Sequence, residues 1–123
     1  MIKIMLLKKT FETGNVIFKE GEIGNEAYLI RSGYVTIWKM EAGRVIELAA
    51  RGPGEIIGEM ALIEERPRSA SVSAKGKVEV EVITRTELKK MMEGVPEQLS
   101  MIIHQLMQRL RDTNELAAMS LSS

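Results

Sequence analysis

Nine of the ten glycines in this 123-residue chain stand before residue 85. That asymmetry constrains the fold more than any other feature. The glycines separate apolar runs that are each too short for a free-standing helix: Val16-Ile17-Phe18, Ala27-Tyr28-Leu29-Ile30, Val35 to Met40, Val45 to Leu48 and Glu55-Ile56-Ile57. Their β-branched and aromatic side chains favour strand, and their even spacing is that of a sandwich or barrel. Lys77 to Val82 alternates strictly, with Val78, Val80 and Val82 on one face and Lys77, Glu79 and Glu81 on the other. That is a strand with one buried and one solvated face. Gly14-Asn15, Gly21, Gly24-Asn25, Ser32-Gly33 and Lys75-Gly76 predict turns, because these residues tolerate positive φ. Glu41 to Arg44 predicts a hairpin loop.

Beyond Arg85 the period changes from two to that of a helix. Thr86 is placed to cap a short helix and Gly94 to close it. Pro96 suits the first turn of a second helix. There the apolar stripe runs Leu99, Ile103, Leu106, Leu110, Thr113 and Ala117, a 4, 3, 4, 3, 4 heptad spacing that Ile102 widens. Such a face packs on its own domain or on a twin. The expectation is one domain over residues 1–123. It comprises strands over about 8–84, a short helix over about 86–93 and a long helix over about 96–119.

Composition removes several functions. Seventeen Lys+Arg balance seventeen Asp+Glu, whereas a general nucleic-acid binder needs a basic surplus to displace phosphate counterions. Without cysteine there is no thiol catalysis, disulfide or thiolate metal site. One histidine, His104, excludes a multi-histidine metal centre, and with it the cupin-like enzymes that would use one. No metal and no catalysis are expected. No apolar run approaches the ~20 residues that span a bilayer. In Met1 to Leu7 the basic pair Lys8-Lys9 follows the apolar stretch, the reverse of a secretory signal. A cytoplasmic protein without membrane contact is expected.

Residues 54–72 hold the chemistry. A strand from Glu55 to Ile57 breaks at Gly58. Glu59 to Ile63 is long enough for about one helical turn, and Pro67 precedes Arg68-Ser69-Ala70. A glycine before a helical turn presents backbone N–H groups to an anion. The Arg68 guanidinium grips two phosphate oxygens, and Ser69 adds a hydroxyl. Glu59 would repel a phosphate, so in a binding site it faces a sugar hydroxyl. Alternatively Glu59 and Arg68 form a plain structural ion pair, of the kind worth ~0–1 kcal/mol when exposed. The residues alone leave both readings open.

These residues resemble the cyclic nucleotide-binding domain, the module of bacterial catabolite activator proteins, protein kinase A regulatory subunits and nucleotide-gated channels. The resemblance is carried by Gly14 to Glu22, by Ala27 to Gly33 and by Gly58-Glu59-Met60-Ala61-Leu62 with Pro67-Arg68-Ser69-Ala70, and it extends from about Phe11 to Met119. It implies a mainly β fold, an antiparallel eight-stranded roll of jelly-roll type followed by C-terminal helices. It implies that Glu59 accepts the ribose 2′-hydroxyl and that Arg68 pairs with the cyclic phosphate. The Met60 and Ala61 N–H groups with Ser69 would complete the cradle, and Gly58 would allow close approach. Val35, Ile37 and Leu48 are candidates for the base pocket, although plain core positions would look the same.

The segment Gln108 to Glu115 resembles the central helix of catabolite activator proteins, where a Thr-Ser pair from two subunits reaches adenine. Here the pair is Thr113-Asn114. That implies a homodimer and favours cAMP, with cGMP as the alternative because Ser69 serves guanine in cGMP-selective relatives. Thr113 is also readable as a polar residue tolerated in the seam. Ten residues precede Phe11 and nine follow Asn114, so the usual first helix is expected to be reduced and no DNA-binding helix-turn-helix is expected. The chain is then a sensor without an effector, or a fragment of a longer protein. A ligand-independent dimerisation module on the same fold is the other possibility.

Overall fold

A computed structural model describes residues 4–122, with side chains described through Thr113. Eight strands come first: β1 (Leu7–Phe11), β2 (Val16–Phe18), β3 (Ile23–Gly24), β4 (Glu26–Glu41), β5 (Arg44–Arg51), β6 (Ile56–Ile57), β7 (Arg66–Pro67) and β8 (Ser71–Thr84). A single 3-10 turn (Glu59–Leu62) sits between β6 and β7, and two helices follow, α1 (Arg85–Glu93) and α2 (Glu97–Ser122). The main sheet runs β1-β8-β4-β5, with β2 also on β8 and β6 also on β4; β3 and β7 form a second, two-stranded sheet. All pairings are antiparallel. This is the antiparallel β fold with C-terminal helices that the sequence predicts.

Alternation on β8 builds the core. Val78, Val80 and Val82 are buried while Lys77 and Glu79 are exposed. The three valines pack with Phe18, Tyr28, Ile30, Val35, Ile57, Val72 and Ala74. Burying one such side chain contributes about 1.5–3 kcal/mol, so this cluster dominates the stability of the roll.

Gly24, expected in a turn with Asn25, ends β3, and neither residue has positive φ; two more expected turns are not turns. Ser32-Gly33 and Lys75-Gly76 lie inside β4 and β8, which continue through them. The β4–β8 register instead shifts between Ile30, Ser32 and Tyr34. Gly33 has φ +83, and a Cβ there would overlap the Lys77 carbonyl. A bulge at glycine bends a strand without ending it, and pairing on both sides of the bulge carries β4 on.

The helix caps also differ from expectation. Thr84, not Thr86, caps α1, its hydroxyl accepting from the Glu87 N–H at 3.2 Å. Gly94 ends α1 at φ −91, outside the left-handed region. The Ser100 N–H donates to the Pro96 carbonyl at 3.1 Å, which makes proline the residue on which α2 starts.

Candidate ligand-binding site

The site is built where β6 stops. Gly58 adopts φ +71, ψ 25, a left-handed conformation that glycine enters without steric cost. The chain then turns through Glu59–Leu62. This turn is fixed from below, because Arg85 Nε of α1 donates to the Ala61 carbonyl at 2.9 Å. It also satisfies part of itself: the Ala61 N–H donates to the Gly58 carbonyl at 3.1 Å. The Ala61 N–H expected at a phosphate is thus engaged within the turn itself. In a tight 3-10 turn the i+3 donor closes on the residue that opens it.

Arg68 is half-buried and held from several sides. Its Nη2 donates to the Glu26 carbonyl at 2.7 Å and its Nη1 to the Gly58 carbonyl at 3.3 Å. The guanidinium carbon lies 4.1 Å from the centre of the Phe18 ring, a cation–π arrangement. Phe18 in turn stacks with Tyr28 at 6.1 Å. Burial pulls the Arg68 pKa down from the ordinary guanidinium value, while Tyr28, Glu26 and Glu22 pull it back up. A guanidinium remains charged through such a shift. Burial pushes the Tyr28 phenol up, and its 2.5 Å hydrogen bond to the Glu26 carboxylate pushes the same way.

Gly24 makes room for this group. A Cβ at Gly24 would overlap the Arg68 guanidinium, and one at Gly58 would come within 2.5 Å of Nη1. Arg68 does not pair with Glu59: Glu59 is exposed and forms no ion pair among the described residues. Backbone carbonyls hold the guanidinium instead, and they leave the Glu59 carboxylate available as an acceptor.

Gly58, Glu59, Met60, Ala61, Arg68 and Ser69 all line one cavity of about 410 Å³, within the range of small-molecule sites. Ile37 lines it as well. Val35 and Leu48 do not. Val35 is fully buried in the core, whereas Leu48 is 52% exposed. Leu48 is the residue skipped where Ile37 pairs Ala49 and Trp38 pairs Glu47, and that bulge turns it out of the sheet's alternation. The apolar wall comes instead from Phe18, Ile56, Ile57 and Val72, and two further cations, Arg51 and Arg66, join it. Thr113 is exposed on α2 and is not part of the wall. Asn114 and Ala117 lie outside the residues whose side chains are described.

Sequence reasoning missed Phe18, Gly24 and Glu26. Phe18 read as one more apolar strand residue. Glu26 acts through a backbone carbonyl, which leaves no side-chain signature.

The family profile of the cyclic nucleotide-binding domain matches residues 8–94, which include every residue that lines this cavity. The chain belongs to the cyclic nucleotide-binding domain family. This cyclic nucleotide-binding domain is 32% identical over 108 residues to the cyclic AMP receptor protein of Thermus thermophilus, covering 87% of this chain and 50% of the receptor. It is 36% identical over 73 residues to the type II regulatory subunit of cAMP-dependent protein kinase of Drosophila melanogaster, covering 59% of this chain and 19% of the subunit. The chain thus spans half or less of the length of these relatives.

Among solved structures, the half-site-occupied form of the EAL enzyme Bd1971 superposes with TM-score 0.85 at 33% identity, covering 89% of this chain and 99% of that one. The cAMP-bound form of the same enzyme gives 0.68 at 32% identity, covering 93% and 30%. Its cGMP-bound form gives 0.69 at 31%, covering 94% and 31%. The described residues of the domain contain no cluster of three or more His, Cys, Asp or Glu placed to hold a metal, and no helix long and apolar enough to cross a membrane.

Proposed function

We propose that this domain is a cAMP sensor that passes ligand binding to α2 and dimerises through that helix. One observation carries the binding half: all six residues expected at the phosphate and ribose line a single cavity, with Arg68 already oriented there. A guanidinium has five N–H donors. Two are used by the Gly58 and Glu26 carbonyls, so three remain among the described contacts for two phosphate oxygens. Charge-assisted hydrogen bonds of this kind are about twice as strong as neutral ones. Ser69 adds a hydroxyl from the neighbouring position. Glu59 accepts the ribose 2′-hydroxyl, and Ile37, Ile56, Ile57 and Val72 supply the apolar wall. A related enzyme solved in cAMP-bound and cGMP-bound forms supports a purine ring of either kind, and the resemblance of Gln108 to Glu115 to the central helix of catabolite activator proteins favours adenine.

The exposed face of α2 supports the dimer half. Leu99, Leu106 and Leu110 are 43%, 54% and 49% exposed. Ile102 joins them at 53%, while Ile103 is half-buried. An outward apolar row at heptad spacing is the seam of a helix pair.

Calorimetric titration with cAMP and cGMP, after unfolding and refolding to strip co-purified nucleotide, tests the reading. Saturable binding with cAMP the tighter ligand is expected. Absence of both heat and thermal stabilisation with either nucleotide would overturn it.

A further inference from the structure

The loop between the 3-10 turn and β7 contains one carboxylate that faces two arginines. Glu64 Oε1 accepts from Arg66 Nη1 at 3.0 Å, and Glu64 Oε2 lies 3.6 Å from Arg111 Nε. The two partners belong to different parts of the molecule. Arg66 opens β7 and lines the ligand cavity. Arg111 stands on α2, two residues before Thr113. The Glu64 backbone is itself anchored, its N–H donating to the Met60 carbonyl at 3.1 Å. A continuous polar line therefore runs from the cavity wall through Arg66 and Glu64 to Arg111. Glu64–Arg111 is the one ion pair between α2 and the rest of the domain among the described residues.

We propose that Glu64 is a positioning residue, a shared carboxylate that ties α2 to the cavity wall and draws it closer when an anion occupies the cavity. The occupancy step rests on the sensor reading above; the tie itself does not.

Two features give the tie a direction. Arg111 Nε is buried and makes no hydrogen bond. A buried donor left in that condition is destabilising, and a partner moving closer removes the penalty. The carboxylate is also divided between two cations. The cavity wall carries Arg51, Arg66 and Arg68 against the single carboxylate Glu59, so an entering phosphate competes with Glu64 for Arg66. Whatever attraction Arg66 gives the phosphate it withdraws from Glu64. Glu64 then closes from 3.6 Å onto the unsatisfied Nε of Arg111, and α2 moves with it. The two ends of the device are thereby two states with different ligand affinity, as ligand-driven coupling requires.

The test is amide hydrogen exchange on the full chain and on its Glu64→Gln, Arg111→Gln and doubly substituted variants, each with and without cAMP. Without nucleotide, Glu64→Gln is expected to speed exchange in residues 103–111 by about two- to five-fold, the range an ion pair of this exposure supports. Arg111→Gln should match it, and the double variant should add nothing further. With cAMP, the parent should slow exchange both in residues 58–70 and in α2. Glu64→Gln should keep the first protection and lose the second. Unchanged α2 exchange in unliganded Glu64→Gln, or additive single effects, overturns the tie. Slowing over 58–70 in the parent without slowing in α2 overturns the occupancy step. If neither nucleotide protects residues 58–70 of the parent, the sensor reading fails together with the occupancy step, and the unliganded comparison alone then decides the tie.

Discussion

In the segment from Ile56 to Ala70 the Arg68 guanidinium and the turn at Glu59–Leu62 are held by neighbours within the same domain, whereas α2 turns much of its apolar surface away from that domain. Arg68 rests on Phe18 and on two backbone carbonyls, and the turn behind it is fastened by Arg85. Leu99, Ile102, Leu106 and Leu110 stand between 43% and 54% exposed, and Glu64 provides the ion pair back to the roll. The Arg68 guanidinium and its turn are organised without a ligand, so a ligand bound there would cost little side-chain freedom. Among the described residues nothing covers the apolar row of α2. A recognition site benefits from rigidity, and a responding element needs a weakly held alternative.

Four substitutions break or sharpen that contrast. Arg68→Ala removes the cation around which the rigid region is organised. Loss of two charge-assisted hydrogen bonds at about 1.5–3 kcal/mol each predicts a fall in nucleotide affinity of at least a hundred-fold by calorimetry, with the circular dichroism of the roll retained. Unchanged affinity would remove Arg68 from the site.

Leu106→Glu attacks the loosely held region instead. A charge in an apolar seam is expected to shift the protein to monomer by light scattering at micromolar concentration. A persisting dimer would mean that this face is not the interface.

Gly24→Ala asks how rigid the first region is. A Cβ there overlaps the Arg68 guanidinium, so alanine must displace it although it touches no ligand group. The expected cost is about ten-fold in affinity, the order that follows from losing roughly one charge-assisted hydrogen bond. An unaltered affinity would show that the guanidinium shifts freely.

Thr84→Ala gives the smallest effect. It removes the cap of α1, worth about 1 kcal/mol, and lowers the thermal midpoint by a few degrees without changing binding.

Much of this was legible in the chain. Lys77 to Val82 announced its buried face because strand alternation is a purely local signal. The left-handed turn at Gly58 and the place of Arg68 on the cavity wall were legible because a glycine before a short helical turn and an arginine after a proline are local signals. The misreadings have local causes of another kind. Gly33 and Gly76 look like turn glycines in one dimension, and only pairing on both sides of them turns one into a bulge within β4 and keeps the other within β8. Leu48 counted as an inward residue until the register slip at Ile37/Trp38 reversed its face.

The sequence by itself determined the division into strands and helices, the Gly58-to-Ala70 motif that carries the family resemblance and the heptad row on α2, because periodicity and side-chain chemistry act over a few residues. The tertiary structure alone decided what holds Arg68, which residues wall the cavity and that Glu64 bridges Arg66 to Arg111. Those contacts join positions as far apart as Glu26 and Arg68, or Glu64 and Arg111, and several of them run through backbone carbonyls, which every residue carries and no sequence pattern distinguishes.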